Sequence, residues 1–183
     1  MDGNGLLDLV SDDQPSGHLV IFFQVSPRVF AQGDQLLSSG ATPVGVAASD
    51  LNEDGLLDLA AANYGSGSVT IFLQSRPGQF STPQVLRAGA IGSPQPVWIS
   101  AHDLDGDGDR DLIYTDWTGF VRIFFQWGPG QFSREPDLDV GSFTATGCCL
   151  GPAVLPADLD GDGDVEIIFT DFNEGKIKIL SRE

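Results

Sequence analysis

The chain has 183 residues, 26 of them acidic and only 9 basic, for a formal charge of −17 at pH 7. A surface this anionic lacks the basic footprint that nucleic-acid phosphates require, and an anionic membrane surface repels it. With 41% hydrophobic residues the chain is too apolar for a disordered acidic tail. Its longest apolar run, Leu19-Val20-Ile21-Phe22-Phe23, falls far short of the about 20 residues that a membrane helix needs. No nucleic-acid partner and no membrane insertion are therefore expected. The opening Met1-Asp2-Gly3-Asn4-Gly5 reads as no secretory leader. Cys148 and Cys149 are adjacent, which reads as two small thiols rather than a disulfide framework.

The acidic residues come in bursts, met in chain order. The first, Asp2-Gly3-Asn4-Gly5-Leu6-Leu7-Asp8-Leu9, lacks a leading carboxylate. The second is Asp50-Leu51-Asn52-Glu53-Asp54-Gly55-Leu56-Leu57-Asp58-Leu59. The third runs Asp103-Leu104-Asp105-Gly106-Asp107-Gly108-Asp109-Arg110-Asp111-Leu112, and the fourth is Asp158-Leu159-Asp160-Gly161-Asp162-Gly163-Asp164-Val165-Glu166-Ile167. The last acid of each burst falls at 8, 58, 111 and 166, a spacing of 50 to 55 residues. The apolar pattern keeps the same period. Phe23-Gln24 precedes Phe30 as Leu73-Gln74 precedes Phe80 and Phe125-Gln126 precedes Phe132, across turns such as Arg76-Pro77-Gly78. Four repeats follow, near 1–42, 43–95, 96–150 and 151–183, the first and last incomplete.

Between bursts the hydrophobic period is two. Val69, Ile71 and Leu73 alternate with polar positions, as do Val121, Ile123 and Phe125, and then Ile177 and Ile179. The second repeat reads as four strands near 44–48, 57–62, 69–74 and 80–87. Turns fall at Gly65-Ser66-Gly67 and, one repeat on, at Thr118-Gly119. A sizeable helix is not expected. One four-stranded sheet cannot bury both of its faces alone, whereas blades around an axis cover one another. The expected fold is all-β: propeller blades of four antiparallel strands, about three and a half blades and 14 strands, forming one partial propeller, about half of a seven- or eight-bladed one whose remainder comes from a longer parent chain or a second copy. A compact four-bladed ring, or two chains completing one ring, are the alternatives.

The three full bursts have the form Asp-x-Asp/Asn-x-Asp-Gly-x-x-Asp/Glu. Oxygen donors fall at positions 1, 3, 5 and 9, position 7 supplies a backbone carbonyl, and glycine at position 6 allows the sharp turn. An all-oxygen set without His or Cys selects Ca²⁺ over Zn²⁺ or Cu²⁺, and Mg²⁺ resists an all-protein cage. Four carboxylates in one short loop repel unless a cation or protons intervene. An EF-hand also requires Glu at position 12, where Ala61, Tyr114 and Phe169 stand.

A calcium loop between two strands at blade spacing resembles the FG-GAP/VCBS repeat family, whose blades also occur in integrin α chains. The resemblance implies ligand loops joining the first and second strands of each blade, on one face of the propeller. It implies side-chain ligands Asp50, Asn52, Asp54 and Asp58; then Asp103, Asp105, Asp107 and Asp111; then Asp158, Asp160, Asp162 and Glu166. Leu56, Asp109 and Asp164 would give carbonyls, and Asp2, Asn4 and Asp8 would form a truncated first site. Three Ca²⁺ sites and a fourth, cut one, would thus absorb 13 of the 26 acidic residues.

No nucleophile elbow, phosphate loop or zinc signature occurs. His102 reads as a structural neighbour of the third loop. Six residues beyond each ninth-position acid lies an aromatic, Tyr64, Trp117 or Phe172, preceded by Asn63, Asp116 or Asp171. These fall on the opposite propeller face and suit either inter-blade packing or a protein or sugar partner. The expectation is a non-enzymatic, calcium-stabilised module for adhesion or ligand binding, located outside the cell or at its envelope. The alternative is part of a carbohydrate-active propeller enzyme such as a polysaccharide lyase.

Overall fold

In the computed structural model the described residues are 1–37, 42–87, 95–117, 120–134, 154–171 and 175–181. Among them every regular element is a strand, and every strand pairing is antiparallel. No helix is long and apolar enough to cross a membrane. The first sheet orders β1 (Leu9–Asp13), β2 (His18–Ser26) and β3 (Val29–Leu37). The second orders β4 (Pro43–Ser49), β5 (Asp58–Asn63), β6 (Ser68–Phe72) and β9 (Gln84–Arg87). A ribbon of β7 (Gln74–Arg76) and β8 (Gln79–Phe80) extends its outer hairpin. The third sheet is β10 (Pro96–His102), β11 (Asp111–Asp116), β12 (Val121–Gly128) and β13 (Gln131–Arg134). The fourth is β14 (Val154–Ala157), β15 (Glu166–Asp171) and β16 (Lys176–Leu180).

Three, four, four and three strands are the expected 14, and the ribbon raises the described count to 16. The reason is local. Pro83 has no N–H to give a ladder, so the expected strand near 80–87 breaks into β8 and β9. The strand near 69–74 breaks opposite it at Leu73, whose carbonyl accepts from Ser81 N–H at 2.8 Å.

The sheets stack face to face, and each junction is a core. Leu19, Ile21 and Val10 of the first blade meet Leu59, Ala61 and Phe72 of the second. Ala60, Ala62, Val69 and Ile71 of the second meet Leu112, Tyr114 and Phe124 of the third. Ile113, Val121 and Ile123 of the third meet Val154, Ile167 and Phe169 of the fourth. Strands β5 and β11 are buried along their whole length, because odd and even residues serve different junctions. The small run Ala60-Ala61-Ala62 is filled from β6, where Ile71, Thr70 and Val69 stand directly opposite. Strand β4 lies beside β10, and these two first strands also touch the second strand of the preceding blade, β4 on β1 and β10 on β5. This layered stack of small antiparallel sheets places all four acidic bends at the same end of their blades.

Candidate metal centre

In the second, third and fourth blades the bend joins the first strand to the second, where four hydrogen bonds shape it. The position-1 carboxylate closes the loop. Asp103 Oδ1 accepts from Gly106 N–H (2.8 Å) and Oδ2 from Gly108 N–H (3.1 Å), and Asp158 takes the same pair from Gly161 (2.6 Å) and Gly163 (3.1 Å). Asp50 takes Asp54 and Gly55 N–H instead, at 3.2 and 2.9 Å. Positions 3 and 5 then make successive Asx turns. Asp105 Oδ1 accepts from Asp107 N–H (3.2 Å) and Asp107 Oδ1 from Asp109 N–H (2.8 Å). Asp160 and Asp162 repeat this at 3.3 and 2.9 Å, and Asn52 and Asp54 at 3.2 and 2.8 Å. In the cut loop Asp2 and Asn4 keep the turns, at 3.1 and 2.8 Å.

The backbone is left-handed at position 6, as the glycine pattern requires, with φ of 81°, 84°, 99° and 98° at Gly5, Gly55, Gly108 and Gly163. It is also left-handed at position 4, where Gly3, Gly106 and Gly161 stand near 80° and Glu53 stands at 61°. That second requirement went unread in the sequence, although Gly at position 4 in three bursts of four carried the signal.

One carboxylate oxygen from each of Asp103, Asp105 and Asp107 lies within 4.8 Å of the others, and Asp158, Asp160 and Asp162 form the same cluster. Two oxygens on opposite sides of one Ca²⁺ stand about 5 Å apart at normal bond lengths, so each cluster is the size of one ion's shell. The donor set is hard and anionic, as Ca²⁺ requires. In the second loop Asn52 turns its amide N–H₂ toward Asp54 Oδ2 at 3.1 Å, leaving Asp50 and Asp54 as the carboxylates of positions 1 and 5. In the cut loop Asn4 likewise donates to Asp2 Oδ2 (3.0 Å), and the Met1 ammonium lies 3.4 Å from Asp8 Oδ2.

The ninth-position acid has a further task. Asp58 and Asp111 are fully buried, and both oxygens of each are engaged. Asp58 accepts from Leu51 N–H (2.9 Å) and Gln74 N–H (2.6 Å), and Asp111 from Leu104 and Gln126 N–H, both at 2.9 Å. Asp8 takes Gln24 N–H at 2.9 Å, and Glu166 takes Leu159 N–H at 2.8 Å. In the first three blades the residue that follows the recurring hydrophobe, Gln24, Gln74 or Gln126, thus caps this acid through its backbone N–H. Each oxygen keeps a second lone pair, so capping and ligation are compatible. Burial pushes the Asp111 carboxyl up to about 6; its two backbone donors pull the other way, and Asp105 and Asp107 add to the rise. Asp58 is raised for the same first reason, burial. An adjacent cation is what relieves such a group.

The loops are also tied to one another. Gly78 N–H of the second blade's hairpin donates to Met1 C=O at 2.7 Å, and Gly130 N–H of the third donates to Leu51 C=O at 2.8 Å. The carboxyls of Glu53 and Asp109 come together between the second and third loops, and this contact with the Asp109 charge raises the Glu53 carboxyl.

On the opposite face Tyr64 and Trp117 meet edge to face, ring centres 6.1 Å apart, across the boundary of blades two and three. Asn63 and Asp116, fully buried, are turn pins. Asn63 Nδ2 donates to Thr70 Oγ1 (2.8 Å), and Asp116 Oδ2 pairs with Arg122 Nε (2.8 Å). Phe172, Asp171's side chain, Cys148, Cys149 and the Thr118-Gly119 turn lie outside the described residues. His102 Nε2 sits 2.6 Å from Ser100 Oγ, and burial lowers its pKa, with Arg110 adding to the fall.

The FG-GAP-like repeat model matches residues 50–114 and again 103–169, more than half of the chain. The chain belongs to the FG-GAP-like repeat family. A search of the curated proteins gave no match. Among solved structures it is similar to a protein from Lactobacillus plantarum, at 17% identity and a TM-score of 0.56. It is similar also to a protein from Bacteroides uniformis described as a 6-phosphogluconolactonase, at 14% identity and a TM-score of 0.56. Both alignments cover 95% of this chain and 52% of the other, so the chain spans about half the length of each. At these identities the likeness is one of fold, that of a β-propeller.

Proposed function

We propose that this chain is a calcium-stabilised propeller module that binds a protein or carbohydrate outside the cell, with calcium in a structural role. The carrying observation is the pair of carboxylate triads, Asp103/Asp105/Asp107 and Asp158/Asp160/Asp162, each compact enough to form part of one ion's coordination shell and each framed by the same turns. Asp111 and Glu166 complete these two sets, with carbonyls from Asp109 and Asp164. Asp50, Asn52, Asp54, Asp58 and the Leu56 carbonyl form the second site, and Asp2, Asn4 and Asp8 the weak first one. The ion's contribution is charge neutralisation inside a bend that links two strands. The millimolar calcium outside cells keeps even weak sites of this kind filled, which supports the extracellular reading. On the opposite face Trp117 keeps 41% of its surface exposed and offers an aromatic edge to a partner.

Melting in calcium and in EDTA tests the metal. Chelation is expected to lower Tm by several degrees or more, with recovery on adding Ca²⁺ and little recovery with Mg²⁺. Asp107→Ala and Asp162→Ala should each reproduce part of the loss. Identical melting curves under all conditions would remove the reading.

A further inference from the structure

We propose that the second bend is a low-affinity calcium switch, and that the third blade reads its state through the buried side chain of Gln126. This deepens the calcium reading above and rests on it. By donor charge the second bend is the weaker kind of site. It offers three carboxylates, Asp50, Asp54 and Asp58, where the third and fourth bends each offer four. Its remaining donor, Asn52, turns its amide N–H₂ onto Asp54 Oδ2 at 3.1 Å. The affinity of an oxygen site for Ca²⁺ follows its ligand charge, so the second bend fills after the third and fourth.

The seam between that bend and the third blade holds the reporter. Strand alternation puts Gln126 on the same face of β12 as Phe124, which packs with Leu51 in the junction to the second blade. Gln126 is 3% exposed, yet neither its Nε2 nor its Oε1 has a hydrogen-bond partner among the described residues. A buried amide in that state is costly. One blade earlier the corresponding side chain is engaged. Gln74 Nε2 donates to the carbonyls of Met1 and Arg76, and only its Oε1 lacks a partner among the described residues. Met1 and Leu51 hold the same place in their bends, and each carbonyl already accepts from a glycine of the next blade's hairpin, Gly78 or Gly130. Leu51 is itself held by ligands of the second site: it follows Asp50, and its N–H donates to Asp58 Oδ2 at 2.9 Å. Gathering Asp50, Asp54 and Asp58 on one ion fixes the Leu51 peptide, and Gln126 Nε2 then takes its carbonyl as Gln74 takes that of Met1. Filling the second bend thereby latches the second blade to the third.

Gln126→Leu separates this role from plain packing. In EDTA the variant should melt at or above the wild type, because two unpaired buried groups are gone, yet it should gain less from added calcium. Calorimetric calcium titration should show its weak step reduced about 2–10-fold in affinity, the net contribution of one hydrogen bond, with the tight steps unchanged. Hydrogen exchange at residues 126–130 should slow across the weak step in the wild type and not in the variant. Asn52→Asp should move the weak step about tenfold or more toward the tight ones. Gln126→Met, which keeps the unbranched shape of the side chain, should repeat the difference between EDTA and calcium. Equal gains from calcium in wild type and both Gln126 variants, or a weak step unmoved by Asn52→Asp, would overturn the switch and leave the calcium reading standing. A wild type that ignores calcium would end both.

Discussion

At the scale of the residue, the ninth acid and the fifth acid of a bend look alike in sequence and differ in kind in the structure. Asp111 is buried and holds two backbone N–H groups, whereas Asp107 is exposed and holds one. Asp111→Ala leaves two buried donors unpaired and should destabilise the protein by about 2–5 kcal/mol with or without calcium. Asp107→Ala should act mainly when calcium is present. Urea midpoints of both variants in calcium and in EDTA separate the roles. Glu53 offers the opposite case, a side chain held at φ 61° where the other bends have glycine. Glu53→Gly should stabilise by about 0.5–1 kcal/mol, read as a higher urea midpoint in EDTA.

At the scale of the element, the second and third strands of the third blade are locked at their turn by Asp116 and Arg122. Both are buried, and Asp116 Oδ1 also accepts from Phe120 N–H at 3.2 Å. The Arg122 guanidinium lies 5.3 Å from the centre of the Phe120 ring. Asp116→Ala strands a buried guanidinium and should lower stability by about 3–5 kcal/mol, measured by chemical denaturation. In the second blade the same place is held by Asn63 through neutral hydrogen bonds to Ser68 and Thr70. The strand positions in this blade were legible from alternation and turn residues. The split of its outer hairpin followed from Pro83, whose effect on a ladder depends on which neighbour it faces.

At the scale of the whole molecule, excess negative charge and buried carboxylates link stability to pH. With metal chelated, the Asp111 carboxyl titrates near 6 in the native state, against about 4 in the unfolded chain. Between those values the native state holds a proton that the unfolded state has released, so raising pH through this window removes stability. The stability lost from pH 4 to pH 7 in EDTA should be smaller in Asp111→Asn than in the wild type. In calcium the ion takes the proton's place, and the loss should shrink.

Sequence alone determined the period, the strand character and the loop chemistry, since these follow from spacing, alternation and oxygen-donor type within one repeat. The same spacing marked Asn63 and Asp116 as polar neighbours of Tyr64 and Trp117 without revealing that they are buried pins. Only the stacked sheets decided that, along with the capping of Asp8, Asp58 and Asp111 by a glutamine backbone some 15 residues away. The physical reason is distance in sequence. A bend's own atoms set its turns, but burial and the hooks between blades depend on what the neighbouring blade presents.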